Sequence, residues 1–196
     1  MVKKNHIQLS KALLSASGGL GARRHEWAFV YGSIAPDCNP LSYFKGSIDY
    51  HFLHGHNYVN ARRWVFRAIS RLQKRTHWTV WDYYTLGKIT HYLGDAFIYP
   101  HNEHYPHGPV GHRMYEVKFR ARFKIYVQDH PPVPCGRIEG AIEAVAKLHY
   151  QYMAEASTVT RDMDYIIKSA MLVMTACLPN GKLPTVIQPK PVSFAQ

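Results

Sequence analysis

The stretch HYLGDAFIYPH, residues 91–101, sets two histidines and an aspartate on a helix-like run that ends at a proline. His91 and Asp95 are four residues apart, so on a helix they share a face, with Cβ atoms about 6 Å apart. Pro100 stops the helix and leaves His101 in a loop that can fold back. A second pair with the same spacing follows in HRMYE, His112 and Glu116. Imidazole nitrogen and carboxylate oxygen both bind zinc, and such clamps on facing helices build metal sites inside bundles. The same spacing also suits a solvated ion pair. Spacing alone leaves both readings open.

The remainder of the chain is patterned for helices. Residues 5–17 predict a first helix, stopped by Gly18 and Gly19. Residues 22–58, with GSIAPDCNP and HGHN, read as irregular. Asn60 is expected to cap a helix over 61–75, where Trp64, Val65, Ala68, Ile69 and Leu72 recur at helical spacing. The opposite face carries Arg63, Arg67, Arg71 and Lys74. A helix over 79–98 follows, then a loop through PHNEHYPHGPVG, then helices over 110–128, 137–156 and 160–178. Prolines in LPTVIQPKPVSFAQ block both a helix and a central strand. No strand alternation with hairpin turns is present. The expected fold is all-α: one domain over 1–196, a multi-helix bundle with long irregular loops.

Composition narrows the chemistry. Cys38, Cys135 and Cys177 are an odd number with no CxxC pair, which excludes a disulfide framework and a thiolate zinc site. Thirteen histidines supply imidazole instead. The net charge of +11 favours an anionic partner or substrate. The apolar run near the start is short and broken by Gln8, Ser10 and Lys11, so no secretion signal is read. No stretch approaches the 18 or so apolar residues of a membrane span. A cytoplasmic location is expected, with secretion as the alternative.

HYLGDAFIYPHN followed by HRMYE resembles the zinc-dependent phospholipase C family, whose wider superfamily includes the S1/P1 nucleases. The family pattern is HxxxD, a histidine six residues on, then HxxxE. YGSIAPD resembles the segment that supplies an aspartate, here Asp37. HGHNY resembles the one that supplies a histidine, here His56 on its GHN context, with His51 and His54 close by. NHIQLSKALL resembles the first helix with its early histidine, here His6. The resemblance covers residues 6 to about 116.

This resemblance implies two or three zinc ions in a helical fold. One would take Asp37, His56, His91 and Asp95; a second His101, His112 and Glu116. A third would share Asp95 and use His6; secreted family members complete that site with a free amino terminus. Asp37 would be a ligand, or would orient a water or take its proton. Asn57, Asn102, Tyr92 and Tyr115 are candidates to orient the histidines. Glu103, His104 and His107 are either accessory ligands or exposed loop residues.

Grouped divalent metals suit phosphate ester hydrolysis. The expected function is a phosphodiesterase of the phospholipase C type, acting on a phospholipid or a small phosphoester. Peripheral membrane contact would be assisted by Trp64, Trp78 or Trp81. One alternative is an S1/P1-type nuclease, with ARRWVFRAISRLQKR and VKFRARFK tracking a nucleic-acid backbone; those arginines equally suit plain solvated helix faces. The other is a non-catalytic metal-binding protein.

Overall fold

A helix buried on nearly every side, α4 (Val80–Ala96), runs through the middle of the molecule. The computed structural model describes residues 1–44, 56–102, 105, 109–136, 138 and 140–179. Among these are six further helices, α1 (Lys3–Ala16), α2 (Arg23–Cys38), α3 (Tyr58–Gln73), α5 (Pro109–Asp129), α6 (Ala141–Ala154) and α7 (Val159–Cys177), of which α1, α2, α3 and α7 pack on α4. No strand occurs among the described residues. The fold is all-α, as the sequence predicts. One apolar core draws residues from all seven helices, including Leu9, Phe29, Ile69, Leu86, Phe123, Val145 and Ile166.

The ends of the helices follow local chemistry. Gly18 and Gly19 take φ of 69° and 83°, and the Gly19 N–H donates to Leu14 O at 2.8 Å. This left-handed turn closes α1. Asp82 Oδ2 accepts from the Thr79 N–H at 2.8 Å and from its hydroxyl at 2.9 Å, fixing the start of α4. Thr158 Oγ1 accepts from the Arg161 N–H at the start of α7. The cap of α3 is Asn57 rather than Asn60, which lies buried inside the first turn.

The stretch read as irregular is the main departure. Residues 23–38 form α2, and 40–44 form a 3₁₀ turn. Gly32 and Pro36 suggest a turn, yet both lie within the helix. A Cβ on Gly32 would meet Tyr84 O at 2.1 Å, and one on Gly87 would meet Phe29 O at 2.0 Å. The two glycines therefore let the backbones of α2 and α4 touch. Pro36 falls in the last turn, where a missing N–H removes little. Residues 45–55 of that stretch, and the tail from 180, lie outside the described residues. No helix is long and apolar enough to cross a membrane.

Candidate metal centre

Close approach of α2 and α4 determines what faces Asp37. This residue sits near the end of α2, opposite His91 on α4, with Oδ1 3.7 Å from His91 Nε2 and 3.9 Å from His56 Nδ1. His56 lies just before α3. Its Nδ1 is 2.9 Å from Asp95 Oδ2, which is 3.2 Å from His91 Nε2. From α1, the His6 ring stacks on His91 with centroids 4.0 Å apart, and His6 Nε2 stands 3.4 Å from Asp95 Oδ1. The Met1 amino group lies 2.5 Å from the same oxygen. Asp95, fully buried, is the hub.

Beside this hub, His101 follows Pro100 on a 3₁₀ turn, Tyr99–His101. Its Nδ1 is 4.0 Å from Asp95 Oδ1, and its ring centroid is 5.3 Å from that of His112. His112 Nε2 is 3.6 Å from Glu116 Oε1. Three donor groups result: His6, His91 and Asp95; Asp37, His56 and His91; and His101, His112 and Glu116. Within each, one donor atom per residue lies within 4.8 Å of the others. The first two groups share His91. The third is the most open, with His112 and Glu116 exposed by 36% and 29%. It draws on α5 and the turn after α4; α5 itself packs on α1 and α7.

Hydrogen bonds behind the rings orient them. His91 Nδ1 is 2.8 Å from Ser33 O, so this nitrogen carries the proton and Nε2 keeps its lone pair toward the site. The Ser42 hydroxyl donates to Pro36 O at 2.7 Å, which makes it the acceptor for His56 Nε2 at 2.9 Å and leaves Nδ1 facing inward. Neither serine was signalled by the sequence, because a backbone carbonyl and a turn hydroxyl leave no motif. Of the expected orienting residues, Tyr92 packs edge-on against His56 and His91. Asn102 instead donates to Ala96 O and Ile98 O and meets His149. Tyr115 donates to Asp162. Asn57 forms no side-chain cap bond. His51, His54, Glu103, His104 and His107 lie outside the described residues.

Electrostatics favours the form that binds metal, neutral imidazole or ionised carboxylate, at His6, His101, Asp95 and Glu116, and opposes it at Asp37. Burial, with His91 stacked above, holds His6 well below the ordinary histidine pKa. Burial, helped by the Met1 ammonium, pushes His101 down to about 3. For Asp95, burial acts upward, but the Met1 ammonium, His91 and His101 outweigh it and hold the carboxyl well below its usual range. Its contact with His112 lowers Glu116. Asp37 is raised by burial.

A divalent ion fits this site on its own evidence. Both ring nitrogens of His6 and Nδ1 of His101 are buried without a hydrogen-bond partner, a costly state that a metal relieves. The donors are imidazole and carboxylate, which zinc accepts; Cys38, Cys135 and Cys177 are in none of the groups. No curated protein and no solved structure matches the chain significantly. A family model described as zinc dependent phospholipase C matches residues 5–171. That span takes in all eight donor residues and every helix from α1 to most of α7, and on it the chain belongs to the zinc-dependent phospholipase C family.

Proposed function

We propose that the protein is a phospholipase C-type phosphodiesterase that uses a cluster of up to three zinc ions to hydrolyse the glycerol–phosphate bond of a phospholipid. The observation that carries the reading is the convergence of eight imidazole and carboxylate side chains into three groups around Asp95. Bound zinc neutralises a phosphate and lowers the pKa of a coordinated water to about 7. Asp37, His56, His91 and Asp95 would hold one ion, His101, His112 and Glu116 a second, and His6 with Asp95 a third.

The chain's own residues do the positioning. Ser33 and Ser42 fix the two rings that face Asp37. Burial makes the Asp37 carboxyl more basic; its chain neighbours Pro36 and Cys38 line a cleft between α2 and α4. With zinc bound, Asp37 would be a ligand, or would accept a proton from the attacking water. The water oxygen bonds to phosphorus, the bond from phosphorus to the glycerol oxygen breaks, and that oxygen takes up a proton. Diacylglycerol and a phosphorylated headgroup are released.

A lipid surface suits the rim of the cleft. Trp27 and Trp81 are exposed by 67% and 74%, with Tyr31, Leu41 and Phe44 also exposed. The Tyr84 ring touches both Tyr31 and Trp81. Exposed tryptophan and tyrosine favour the membrane–water interface. Of the tryptophans named from the sequence, only Trp81 takes this position; Trp64 and Trp78 pack against the core. Hydrolysis of dihexanoylphosphatidylglycerol by the zinc-loaded protein, lost on chelation and restored by zinc, tests the reading. Cleavage of single-stranded DNA with no lipid hydrolysis would replace it with the nuclease.

A further inference from the structure

Helix α5 carries two apolar stripes where a surface helix needs one. Phe119, Phe123 and Val127 are buried in the core, where α5 packs on α1 and α7. On the opposite side, Val110, Met114, Val117, Ala121 and Ile125 follow at steps of three or four, one line along the helix. Ala121 is exposed, and the other four are each more than half exposed. Basic side chains flank this line. Arg113, Arg120 and Lys124 lie along one edge, Lys118 and Arg122 along the other. All five are exposed. Among the described residues, no carboxylate pairs with any of them. Glu116 lies three and four residues from Arg113 and Arg120, so the first edge borders the third donor group.

An exposed aliphatic line between two rows of unpaired cations suits a partner that is anionic and apolar at once. A second copy of the same face would set five cations against five, and these repel. The two long segments outside the described residues do not supply the missing charge. Residues 180–196 hold Lys182 and Lys190 and no acid, and residues 45–55 hold Lys45 and Asp49. A nucleic-acid strand offers phosphates, but its bases stack on aromatic rings, and this line contains none. An anionic lipid surface meets both needs. Its headgroups take the flanking bases, and the acyl boundary takes the aliphatic line. We infer that the outward face of α5 docks the protein on a membrane rich in anionic lipid, with the helix lying in the headgroup plane. The choice of a lipid surface over an acidic protein rests on the phosphodiesterase reading.

The test measures binding of the zinc-loaded protein to vesicles of phosphonate lipids, in which carbon replaces the glycerol oxygen and hydrolysis is blocked. Vesicles that include the phosphatidylglycerol analogue should bind about tenfold or more tighter than vesicles of the phosphatidylcholine analogue alone, and high salt should shrink the difference. The double variant Arg120→Gln, Lys124→Gln should lower affinity for the anionic vesicles by about tenfold. The double variant Val117→Ser, Ile125→Ser should lower it by a similar factor. Zinc content should be unchanged in both. Equal binding of the two vesicle types by the wild-type protein, or full binding of anionic vesicles by either variant, overturns the inference. Binding lost in Trp81→Ala but kept by both variants places the contact at the cleft rim instead. Single-stranded DNA bound tighter than anionic vesicles, or a dimer that Val117→Ser, Ile125→Ser dissolves, also overturns it. Hydrolysis of monomeric dihexanoylphosphatidylglycerol is read separately. Vesicle binding without hydrolysis sinks the phosphodiesterase reading and keeps the docking face; hydrolysis without vesicle binding does the reverse.

Discussion

Tyr115 donates a 2.5 Å hydrogen bond to Asp162 Oδ2, and so ties α5 to α7 one residue before Glu116 and three after His112. The same oxygen accepts the Tyr99 N–H at 2.8 Å, two residues before His101. Oδ1 of Asp162 instead serves Tyr152 and Arg161, at 2.9 and 3.0 Å. One buried carboxylate thus divides its two oxygens between the segments that carry the third donor group and the interior of the α6–α7 hairpin. Tyr115→Phe should lower zinc affinity at that group by about 10–100-fold, the usual effect of removing a group that orients ligands. Tyr152→Phe should lower stability by about 1 kcal/mol and leave zinc affinity near wild type. Zinc titration with a competing chelator separates the two. Equal effects of both variants on affinity would make Asp162 a purely structural anchor.

Ser42 is placed to have a similar effect on the Asp37 side. With its hydroxyl gone, His56 Nε2 loses its acceptor. Ser42→Ala should therefore weaken zinc binding by about 10-fold or more, while Ser42→Thr, which keeps a hydroxyl, should recover most of it. The same chelator competition measures it.

The α2–α4 contact makes a stability prediction. Gly32→Ala and Gly87→Ala each drive a methyl group into a backbone carbonyl. Each should cost about 1–3 kcal/mol or more by overpacking, and zinc affinity should fall with it, because Asp37 and His91 are held on these two helices. Gly136→Ala meets nothing within 4 Å and should stay within about 0.5 kcal/mol of wild type. Thermal unfolding with and without zinc reads both effects.

His149 gives a pH dependence away from the donor groups. It is buried, stacked on Tyr58 with centroids 3.5 Å apart, and burial pushes its pKa down from 6.5 to about 4. The unfolded chain therefore binds the extra proton first as pH falls. Stability should be highest above pH 6.5 and decline from there toward pH 4, by up to about 3 kcal/mol from this residue. His149→Gln keeps a partner for Asn102 and should flatten that slope in urea unfolding series of the zinc-free protein. An unchanged slope would assign the acid sensitivity to other groups.

The pattern of residues 79–98 made the helix after Thr79 legible, with its stop before Pro100, and four-residue spacing put His91 with Asp95 and His112 with Glu116 on shared helix faces, as metal clamps or ion pairs alike. The amphipathic stripe of α3 was legible for the same reason. Helix α2 was not. Its glycine and proline look like turn residues locally, and only the opposing backbone of α4, far away in sequence, explains Gly32. The site was partly legible. Spacing paired His91 with Asp95 and His112 with Glu116, and the family resemblance added His6, Asp37, His56 and His101 as candidates, but that His91 lies in two groups, that Ser33 and Ser42 hold the rings, and that Asp162 ties down Tyr99 and Tyr115, depends on tertiary contacts. Asp162 in particular sits in the first turn of α7, between Arg161 and Met163, with no motif around it.

Zinc content per chain in wild type, His91→Ala and His112→Ala, measured by elemental analysis after dialysis against zinc-free buffer, tests the central claim most directly. Because His91 belongs to two of the three groups and His112 to one, His91→Ala should lose more zinc than His112→Ala, and the wild-type protein should hold two or three ions. A wild-type protein without bound zinc, or a His91→Ala variant with undiminished zinc, would contradict it.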